Sequence, residues 1–345
     1  MALISEADII HFHHYFDFFS QHNKFGIDFQ DIAKASVRYT LQWHTAPDLI
    51  ARFNGISVQQ LHDLSIQQSV VAQFHESLYP NAYPLPLIVG EYVDTTSASA
   101  TFKQAEKPDI FFSPSVSNSA YFHRWATKGK YEVEKILRKG RKSGHWDYTL
   151  VQGVSFHECI NLRNKADIVI DDIVTGGFHT TALESLSQGK VVLSYLDHRT
   201  IVSLTQLTGT HDIPIVNVRY TEAFAVLKAL AADTKLRQQI AEYSLDYFRN
   251  YYADEIMIKK YVTFYEQMLN GKKLSNPFFR EHQSAKVWLG RDVADTVWQE
   301  HKSKEARFVN PQDINDNINI YKRAIYQFIK KRPALYSLYK MIRGF

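Results

Sequence analysis

The segment from Ala166 to Asp197 constrains the fold more than any other part of the chain. Its sequence is ADIVIDDIVTGGFHTTALESLSQGKVVLSYLD. An apolar run is followed by a Gly-Gly turn, a stretch with helical spacing, a glycine stop and a second apolar run. Continuous apolar runs are typical of strands that are buried on both faces of a parallel sheet. The segment therefore predicts one strand–helix–strand unit of a parallel sheet.

The helix of this unit begins where an anion would be held favourably. The first N–H groups of a helix have no partner within the helix, and the helix dipole favours negative charge there. Glu184 lies one to two turns inside this helix, where its carboxylate can accept hydrogen bonds from two sugar hydroxyls. Phosphate at the helix start and ribose on the glutamate together predict a nucleotide site. The alternative is a glutamate that faces solvent on a surface helix.

Composition places the chain among soluble globular proteins. It has 345 residues, of which 45% are hydrophobic and 22% charged, and this length favours two domains. A single cysteine, Cys159, excludes an intramolecular disulfide and a cysteine-rich zinc site, and it favours a reducing, cytoplasmic location. We expect no membrane-spanning helix and no secretion signal, because the sequence lacks a long apolar run and the N-terminus lacks a basic start.

The net charge of +4 is spread unevenly along the chain. From Asn317 to the end there are seven Lys or Arg residues and no acidic residue. This distribution argues against a general nucleic-acid binder and for a local basic tail. A basic helix with aromatic residues can lie in the headgroup region of an anionic membrane. The alternative is a helix that packs back on the N-terminal domain.

From residue 109 onward, strand and helix patterns alternate regularly. Near-continuous apolar strands alternating with helices predict a parallel, doubly wound sheet covered on both faces. Helices are expected at residues 125–138 and 156–164 and between residues 221 and 268, and the last strand of the series is expected at residues 214–218. We therefore expect a nucleotide-binding domain over residues 101–270.

The first hundred residues form a shorter and less regular series. The predicted elements are strands at residues 7–12 and 36–43, a helical region at 52–76 and an extended segment at 84–89. Residues 94–108 are small and polar and are the best linker candidate. We expect a short N-terminal domain over residues 1–100 and a helical tail over residues 271–345.

The order of features in the second half resembles a known family. The features are, in order, Lys128-Gly129 before an amphipathic helix, Gly153 after the next strand, the glycine-rich turn, the helix with Glu184, and Gly189–Val192. In this order they resemble the donor-binding half of the retaining, glycogen-synthase-like glycosyltransferases, also known as group 1 or family 4. The resemblance extends over about half the chain, from residue 109 to residue 268.

The resemblance implies a fold, a reaction and a cellular location. The fold would be α/β of the GT-B type, with two Rossmann-like domains on either side of a cleft, an abbreviated N-terminal domain and a helical C-terminal tail. The reaction would move a sugar from a nucleotide-diphosphate donor to a saccharide or lipid-linked acceptor in bacterial surface polysaccharide synthesis. Neither a metal nor another cofactor would be needed, and nucleic acid is not expected as a partner. The location would be cytoplasmic, with or without attachment to the inner face of the membrane.

The resemblance also assigns roles to individual residues. Glu184 would bind the ribose, Lys128 and Arg124 would face the diphosphate, and His44 would face the donor sugar as the third catalytic group. Gly153 matches the place where the chain passes close to the base. The backbone that would hold the diphosphate belongs to Gly177, Phe178, His179, Thr180 and Thr181. For Lys128 and Arg124 the alternative is a solvated pair at a helix start.

The sequence departs from the family pattern at Gly176. The family has a glutamate eight positions before the ribose-binding glutamate, and this chain has Gly176 there. Asp171 and Asp172 are the nearest carboxylates in the sequence that could replace it. The departure motivates two alternatives: a non-catalytic partner subunit with the same fold, and another sugar-nucleotide enzyme such as an epimerase.

Overall fold

The structure is a computed structural model that describes residues 6–13, 38–53, 56–74, 78–90, 106–115 and 127–277. Within these ranges the strands form two sheets, and every strand pair in both sheets is parallel. The first sheet precedes residue 91 and the second follows residue 108. The predicted parallel α/β architecture is therefore confirmed.

The first sheet has four strands in the order β1-β2-β3-β4. The strands are β1 (Ile9–His13), β2 (Arg38–Trp43), β3 (Gln67–Val71) and β4 (Ala82–Leu85). Two short helices, α1 (Pro47–Phe53) and α2 (Val58–His62), connect β2 to β3. Ser57 begins α2 with a capping box, in which its hydroxyl accepts the N–H of Gln60 and the Gln60 side chain accepts the N–H of Ser57.

The prediction of helix throughout residues 52–76 is wrong, because strand β3 lies inside that range. Strand β3 was not predicted because it contains polar residues. Gln68 and Ser69 are buried in the core, where their side chains make hydrogen bonds. The Gln68 side chain accepts the indole N–H of Trp43 at 2.9 Å, and the Ser69 hydroxyl donates to the carbonyl of Leu41 at 3.3 Å. Buried polar groups with partners are tolerated in a core, but they remove the apolar pattern that marks a strand.

The second sheet has five strands in the order β6-β5-β7-β8-β9. The strands are β5 (Asp109–Phe112), β6 (Asp147–Leu150), β7 (Ile168–Ile170), β8 (Val191–Ser194) and β9 (Ile215–Asn217). The chain moves outward from β5 to β6, then returns past β5 and continues in the opposite direction. The strand order therefore reverses between β5 and β7. In open parallel sheets, ligands bind in the crevice beyond the carboxyl ends of strands at such a reversal.

Helices cover the second sheet and then lead back to the first. They are α3 (Lys130–Lys142), α4 (Phe156–Asn164), α5 (Thr180–Ser187), α6 (His198–Thr208), α7 (Tyr220–Ala232), α8 (Thr234–Tyr247) and α9 (Asp254–Leu269), with a π-helical segment at Phe248–Tyr252. The helix predicted at residues 156–164 is confirmed with the same bounds. Helix α3 begins later than the predicted residue 125, because Gly129 takes a left-handed conformation just before it.

Helix α9 packs against the first sheet and so connects the two halves of the chain. The ring of Phe264 stacks on Tyr83 of β4, with ring centroids 5.3 Å apart. The guanidinium of Arg38 on β2 donates to the carbonyl of Met268 at 2.9 Å, near the end of α9. Between the halves, the hydroxyl of Ser203 on α6 also donates to the carbonyl of Ala72 after β3, at 3.1 Å.

Several predictions fall outside the described residues. Arg124, most of the predicted linker and the basic tail from Asn317 onward belong to this group. The domain boundaries at residues 100 and 270 therefore stay predictions. In the part of the chain that the structure describes, no helix is both long and apolar enough to cross a bilayer.

Candidate functional site

Asp171 lies directly after β7, at the point where the strand order reverses. It connects the end of this strand to the segment before α3 and to the start of α5. Its Oδ1 accepts a hydrogen bond from Nζ of Lys128 at 2.7 Å, and its Oδ2 accepts the backbone N–H of His179 at 2.6 Å. The carboxylate is fully buried. Burial alone would raise the pKa of Asp171, but Lys128 and His179 together hold that pKa well below its usual range. Asp171 thus fixes the segment before α3 against the start of α5.

Lys128 brings a cation to the start of α5. Its Nζ lies 2.7 Å from Asp171 and 3.3 Å from the hydroxyl oxygen of Thr181, and the residue is 5% exposed. A lysine ammonium has three N–H donors, so one remains for a ligand. Lys128 also has a φ of +58°, the one positive φ outside glycine among the described residues. Left-handed backbone is costly for a side chain, and such conformations cluster at functional sites.

The start of α5 offers unpartnered backbone N–H groups. His179 is the N-cap residue and gives its own N–H to Asp171, but its side chain makes no capping hydrogen bond. The N–H groups of Thr180 and Thr181 have no acceptor among the described residues. The side chain of Phe178 is 2% exposed and belongs to the core, so at this position the backbone alone could contact a ligand. These N–H groups and the Lys128 ammonium together form a setting for an anion.

Glu184 lies on the same helix, further from its start, in a buried ion pair. Its Oε2 accepts Nη1 of Arg163 at 2.7 Å, and Nε of that guanidinium donates to Oε1 of Gln188, also at 2.7 Å. The Arg163 side chain is 1% exposed and the Glu184 side chain 10%. Sequence reasoning missed Arg163, since the two partners are 21 residues apart and nothing local links them.

Gly153 follows β6 with a φ of +74° in an exposed turn, and a Cβ built on it meets no atom within 4 Å. The adjoining Gln152 ties this turn to its surroundings. Its Oε1 accepts from Nζ of Lys130 at 2.6 Å, and its Nε2 donates to the carbonyl of Ser115 at 2.9 Å. Next to the turn, the Phe156 side chain is 51% exposed and its ring lies against that of His157, with centroids 5.8 Å apart. The turn therefore has free space and an apolar ring beside it.

His44, just after β2, belongs to a cluster of histidines. Its Nε2 lies 3.0 Å from Nδ1 of His13, and the ring of His13 stacks on His11 with centroids 4.4 Å apart. A cavity of about 400 Å³ is lined here by His13, His44, Leu87, Ile88, Ile258, Tyr261 and Tyr265. Among the described residues, no group of three or more His, Cys, Asp or Glu side chains is arranged to hold a metal ion.

This cluster predicts that acid destabilises the protein. Burial, helped by His13 and His44, lowers the pKa of His11 to about 3. An unfolded histidine takes up a proton near pH 6.5, whereas folded His11 resists it, so its contribution to stability is lost as the pH falls below 6.5. Between pH 6.5 and pH 5 the loss amounts to about 2 kcal/mol. Urea unfolding at pH 7.5 and pH 5.0 measures it.

The control for this prediction is the exposed His157. His11→Gln should remove most of the acid sensitivity, while His157→Gln should keep it. The lowered pKa of His13, also caused by burial, adds a smaller dependence of the same sign. Equal pH dependence in the His11→Gln and wild-type proteins would show that His11 is not the group responsible.

The backbone at Gly176 disfavours the glutamate that the family has at this position, because it lies in the left-handed region. Its φ is +94°, and a Cβ built on it would lie 3.4 Å from both Cβ of Asp197 and the Tyr195 ring. Asp171 and Asp172, the two sequence candidates for a replacement, are buried. The Asp172 carboxylate accepts the N–H groups of Val174 and Thr175 and so stabilises the turn after β7.

The carboxylate beside Gly176 belongs instead to Asp197, the N-cap of α6. Its Oδ1 accepts the N–H of Thr200 at 2.7 Å, and its Oδ2 lies 3.5 Å from the Cβ position built on Gly176. Among the described residues no protein donor binds this second oxygen, and the side chain is half-buried. Sequence reasoning missed Asp197 because it follows a different strand, β8.

Adding one methyl group at Gly176 should destabilise the fold. Gly176→Ala forces an L side chain into the left-handed region against Asp197 and Tyr195, so we expect a loss of about 1–2 kcal/mol. Gly177→Ala is the matched control, since its backbone is not left-handed and its Cβ would meet only the carbonyl of Gln73 at 4.0 Å. Guanidinium unfolding of both variants measures the difference. Equal stability of the two would contradict the strain at Gly176.

Comparison with known proteins gives matches among solved structures. No protein-family model matches the sequence, and no curated protein does. A sucrose-phosphate synthase from Thermosynechococcus elongatus matches with a TM-score of 0.50 at 9% identity, covering 79% of this chain and 76% of that chain. The chain has the GT-B fold. The GT-B fold expected from the resemblance is thereby confirmed, while the helical tail, which lies mostly outside the described residues, and the retaining and family-4 assignments stay predictions.

Two further structures match with lower scores. A glycosyltransferase from Rickettsia africae has a TM-score of 0.48 at 14% identity, covering 79% of this chain and 81% of that chain. Anabaena HepE, in complex with UDP and glucose, has a TM-score of 0.46 at 12% identity, covering 69% of this chain and 73% of that chain. At such identities the likeness concerns the fold, and the reaction has to be argued from the site.

Proposed function

We propose that the protein is a glycosyltransferase that takes its sugar from a nucleotide-diphosphate donor. The observation that carries the proposal is the contact of the Lys128 ammonium with the Thr181 hydroxyl at the start of α5, where the N–H groups of Thr180 and Thr181 have no acceptor among the described residues. These groups lie beyond the carboxyl ends of β5 and β7, where the strand order reverses. One spare ammonium donor and two backbone donors suit the oxygens of a diphosphate.

Catalysis in this proposal rests on stabilising the leaving group. Negative charge builds up on the diphosphate as the bond to the sugar breaks, and fixed donors placed at that charge lower the barrier. Lys128 is buried and held by Asp171, so it needs little reorganisation during the reaction. Arg124 would add a second cation, and closure of the cleft would exclude water that could otherwise hydrolyse the donor. No metal is assigned to the reaction.

The rest of the donor would follow helix α5 and the end of β6. Glu184 lies about one turn from the diphosphate donors, so its exposed oxygen would accept hydrogen bonds from the ribose hydroxyls. The base would lie over the open turn at Gly153, close to the exposed ring of Phe156.

The acceptor side of the proposal rests on the first sheet and the tail. His44 would face the donor sugar, and the sugar would be transferred with retention of configuration to a saccharide or lipid-linked acceptor of a bacterial surface polysaccharide. The basic tail would hold the protein to an anionic membrane surface in the cytoplasm.

Gly176 favours a second candidate, a non-catalytic subunit that keeps the fold. The left-handed backbone is unfavourable for the glutamate of the family pattern, and the carboxylate of Asp197 would lie beside it. A third possibility is a sugar-nucleotide enzyme such as an epimerase, which would convert the donor without any acceptor.

The experiment that tests the proposal is thermal unfolding of the protein with a panel of nucleotide sugars and free nucleotides. A ligand at a hundred times its dissociation constant should stabilise the protein by about 2.7 kcal/mol. Glu184→Gln should weaken this effect, because an amide can still accept from Arg163 but presents an NH₂ group where the exposed oxygen stood. Glu134→Gln, on the outer part of α3, is the control. No shift with any nucleotide would contradict the proposal.

The ligand found in this way then separates the three candidates. A glycosyltransferase transfers the labelled sugar only when an acceptor is present. An epimerase changes the donor in the absence of acceptor. A non-catalytic subunit binds the donor and leaves it unchanged with every acceptor offered.

A further inference from the structure

Arg163 belongs to α4 but is held in place by Glu184 of α5 and by Gln188, the C-cap residue of α5. Its Nη1 donates to Glu184 and its Nε donates to Gln188, both at 2.7 Å. Gln188 in turn donates to the carbonyl of Ile160 at 3.2 Å, so the two helices are joined around the guanidinium. The guanidinium is rigid and planar, and two of its edges are therefore fixed.

The contact with Arg163 uses one oxygen of Glu184 and leaves the other available. Oε2 is bound to Nη1, while Oε1 has no partner among the described residues and is not enclosed. The carboxylate is therefore held in one orientation, and although Glu184 is only 7% exposed, Oε1 keeps some access for a ligand. A glutamate without such a partner would distribute over several rotamers and lose that orientation on the surface of the helix.

Stability alone does not account for this ion pair. Nη2 of Arg163 is buried and has no hydrogen-bond partner among the described residues, which is unfavourable for a charged donor. Buried ion pairs are often no more stabilising than apolar residues of the same volume. An incompletely satisfied pair whose carboxylate keeps one accessible oxygen without a partner points to a role in positioning.

We propose that Arg163 is a positioning residue that orients Glu184 to recognise the ribose of the donor. The inference rests on the proposed function, because it takes the diphosphate to lie at the start of α5. From the N–H groups of Thr180 and Thr181 to Glu184 is about one helical turn, or roughly 5 Å, which suits the step from a diphosphate to its ribose. The recognised group is the pair of ribose hydroxyls, so the protein should prefer ribonucleotides to 2′-deoxyribonucleotides.

Calorimetric titration with UDP, GDP, ADP and their 2′-deoxy counterparts tests the inference. The wild type should prefer the ribonucleotide about tenfold or more, as expected for a hydrogen bond to a charged group. Arg163→Met should bring this preference to about twofold or less, because the carboxylate loses its orientation. Inorganic pyrophosphate, which lacks a ribose, should bind the wild type and the variant with the same affinity.

Arg237→Met is the matched control for loss of a buried arginine. Arg237 is 3% exposed, and its guanidinium donates to the carbonyls of Leu230 and Ala231 near the end of α7. This variant should lose stability but keep the full ribose preference. Arg163→Lys gives a second test that retains the positive charge. The preference of this variant for the ribonucleotide should be at least about threefold lower than that of the wild type, because a lysine cannot hold both partners in the arginine geometry.

The outcomes separate the inference from the proposed function. If no member of the panel binds the wild type, the proposed function and the inference both fail. If a ribonucleotide binds but the wild type shows no preference for it, or if both Arg163 variants keep the wild-type preference, the inference fails and the nucleotide site stands. The inference would also be overturned if Arg237→Met lost the preference for the ribonucleotide. The loss in the Arg163 variants would then reflect a general loss of packing and not the orientation of Glu184.

Discussion

Replacing Asp171 by alanine should lower the free energy of unfolding by about 3–5 kcal/mol. The carboxylate is fully buried and is the ion-pair partner of Lys128, at 2.7 Å. Its removal leaves the Lys128 ammonium in the interior without a counter-charge and the N–H of His179 without its acceptor. Removing one partner of a buried pair is costly because the remaining charge stays desolvated. Urea unfolding at neutral pH measures the loss.

Asp147→Ala provides the contrast. Asp147 also forms an ion pair, with Lys107 at 2.9 Å, but the two side chains are 52% and 40% exposed. Exposed ion pairs contribute about 0–1 kcal/mol to the free energy of unfolding, so the stability of Asp147→Ala should remain close to that of the wild type. If the two alanine variants lost the same stability, Asp171 would not be the buried anchor that the geometry indicates.

Lys128→Met should weaken binding of a nucleoside diphosphate by about a hundredfold or more. The variant removes a cation and the spare N–H donor beside the free N–H groups of Thr180 and Thr181, and charge-assisted hydrogen bonds are the strong ones. Because Lys128→Met leaves Asp171 buried without its partner, loss of binding in this variant could reflect loss of folding. A second variant separates the two effects.

Lys128→Met combined with Asp171→Leu removes both charges together. Replacing a whole buried ion pair by apolar residues is often neutral for stability, so the double variant should recover much of the stability lost in either single variant. It should still fail to bind the diphosphate. Calorimetry checks this, with Lys142→Met on the exposed end of α3 as the control for net charge. Wild-type affinity in a folded double variant would exclude Lys128 from the site.

The sequence was sufficient to predict the second sheet, because the signals involved are local. The apolar runs of β7 and β8, the Gly-Gly turn and the glycine after α5 lie within about thirty residues of one another. Helix α4 was predicted with its observed bounds for the same reason, since Ser155 begins it as a capping residue. Strand β3 was missed because its buried residues are polar and their partners come from elsewhere in the fold.

The pairs that build the candidate site could not be predicted, because they depend on distant contacts. Lys128 and Asp171 are 43 residues apart, and Arg163 and Glu184 are 21 apart. Sequence reasoning assigned Lys128 and Glu184 to a ligand, but it could not anticipate that each is held by a buried residue of opposite charge. It also placed no carboxylate near Gly176 other than its neighbours in the sequence, whereas the fold brings Asp197 there.

The central claim is that a diphosphate binds between Lys128 and the start of α5. A crystal structure of the protein with its tightest-binding nucleoside diphosphate tests this claim most directly. The account predicts phosphate oxygens about 3 Å from Nζ of Lys128 and from the backbone nitrogens of Thr180 and Thr181, with the ribose beside Glu184. Phosphates bound at any other place on the protein, with these donors left unoccupied, would contradict it.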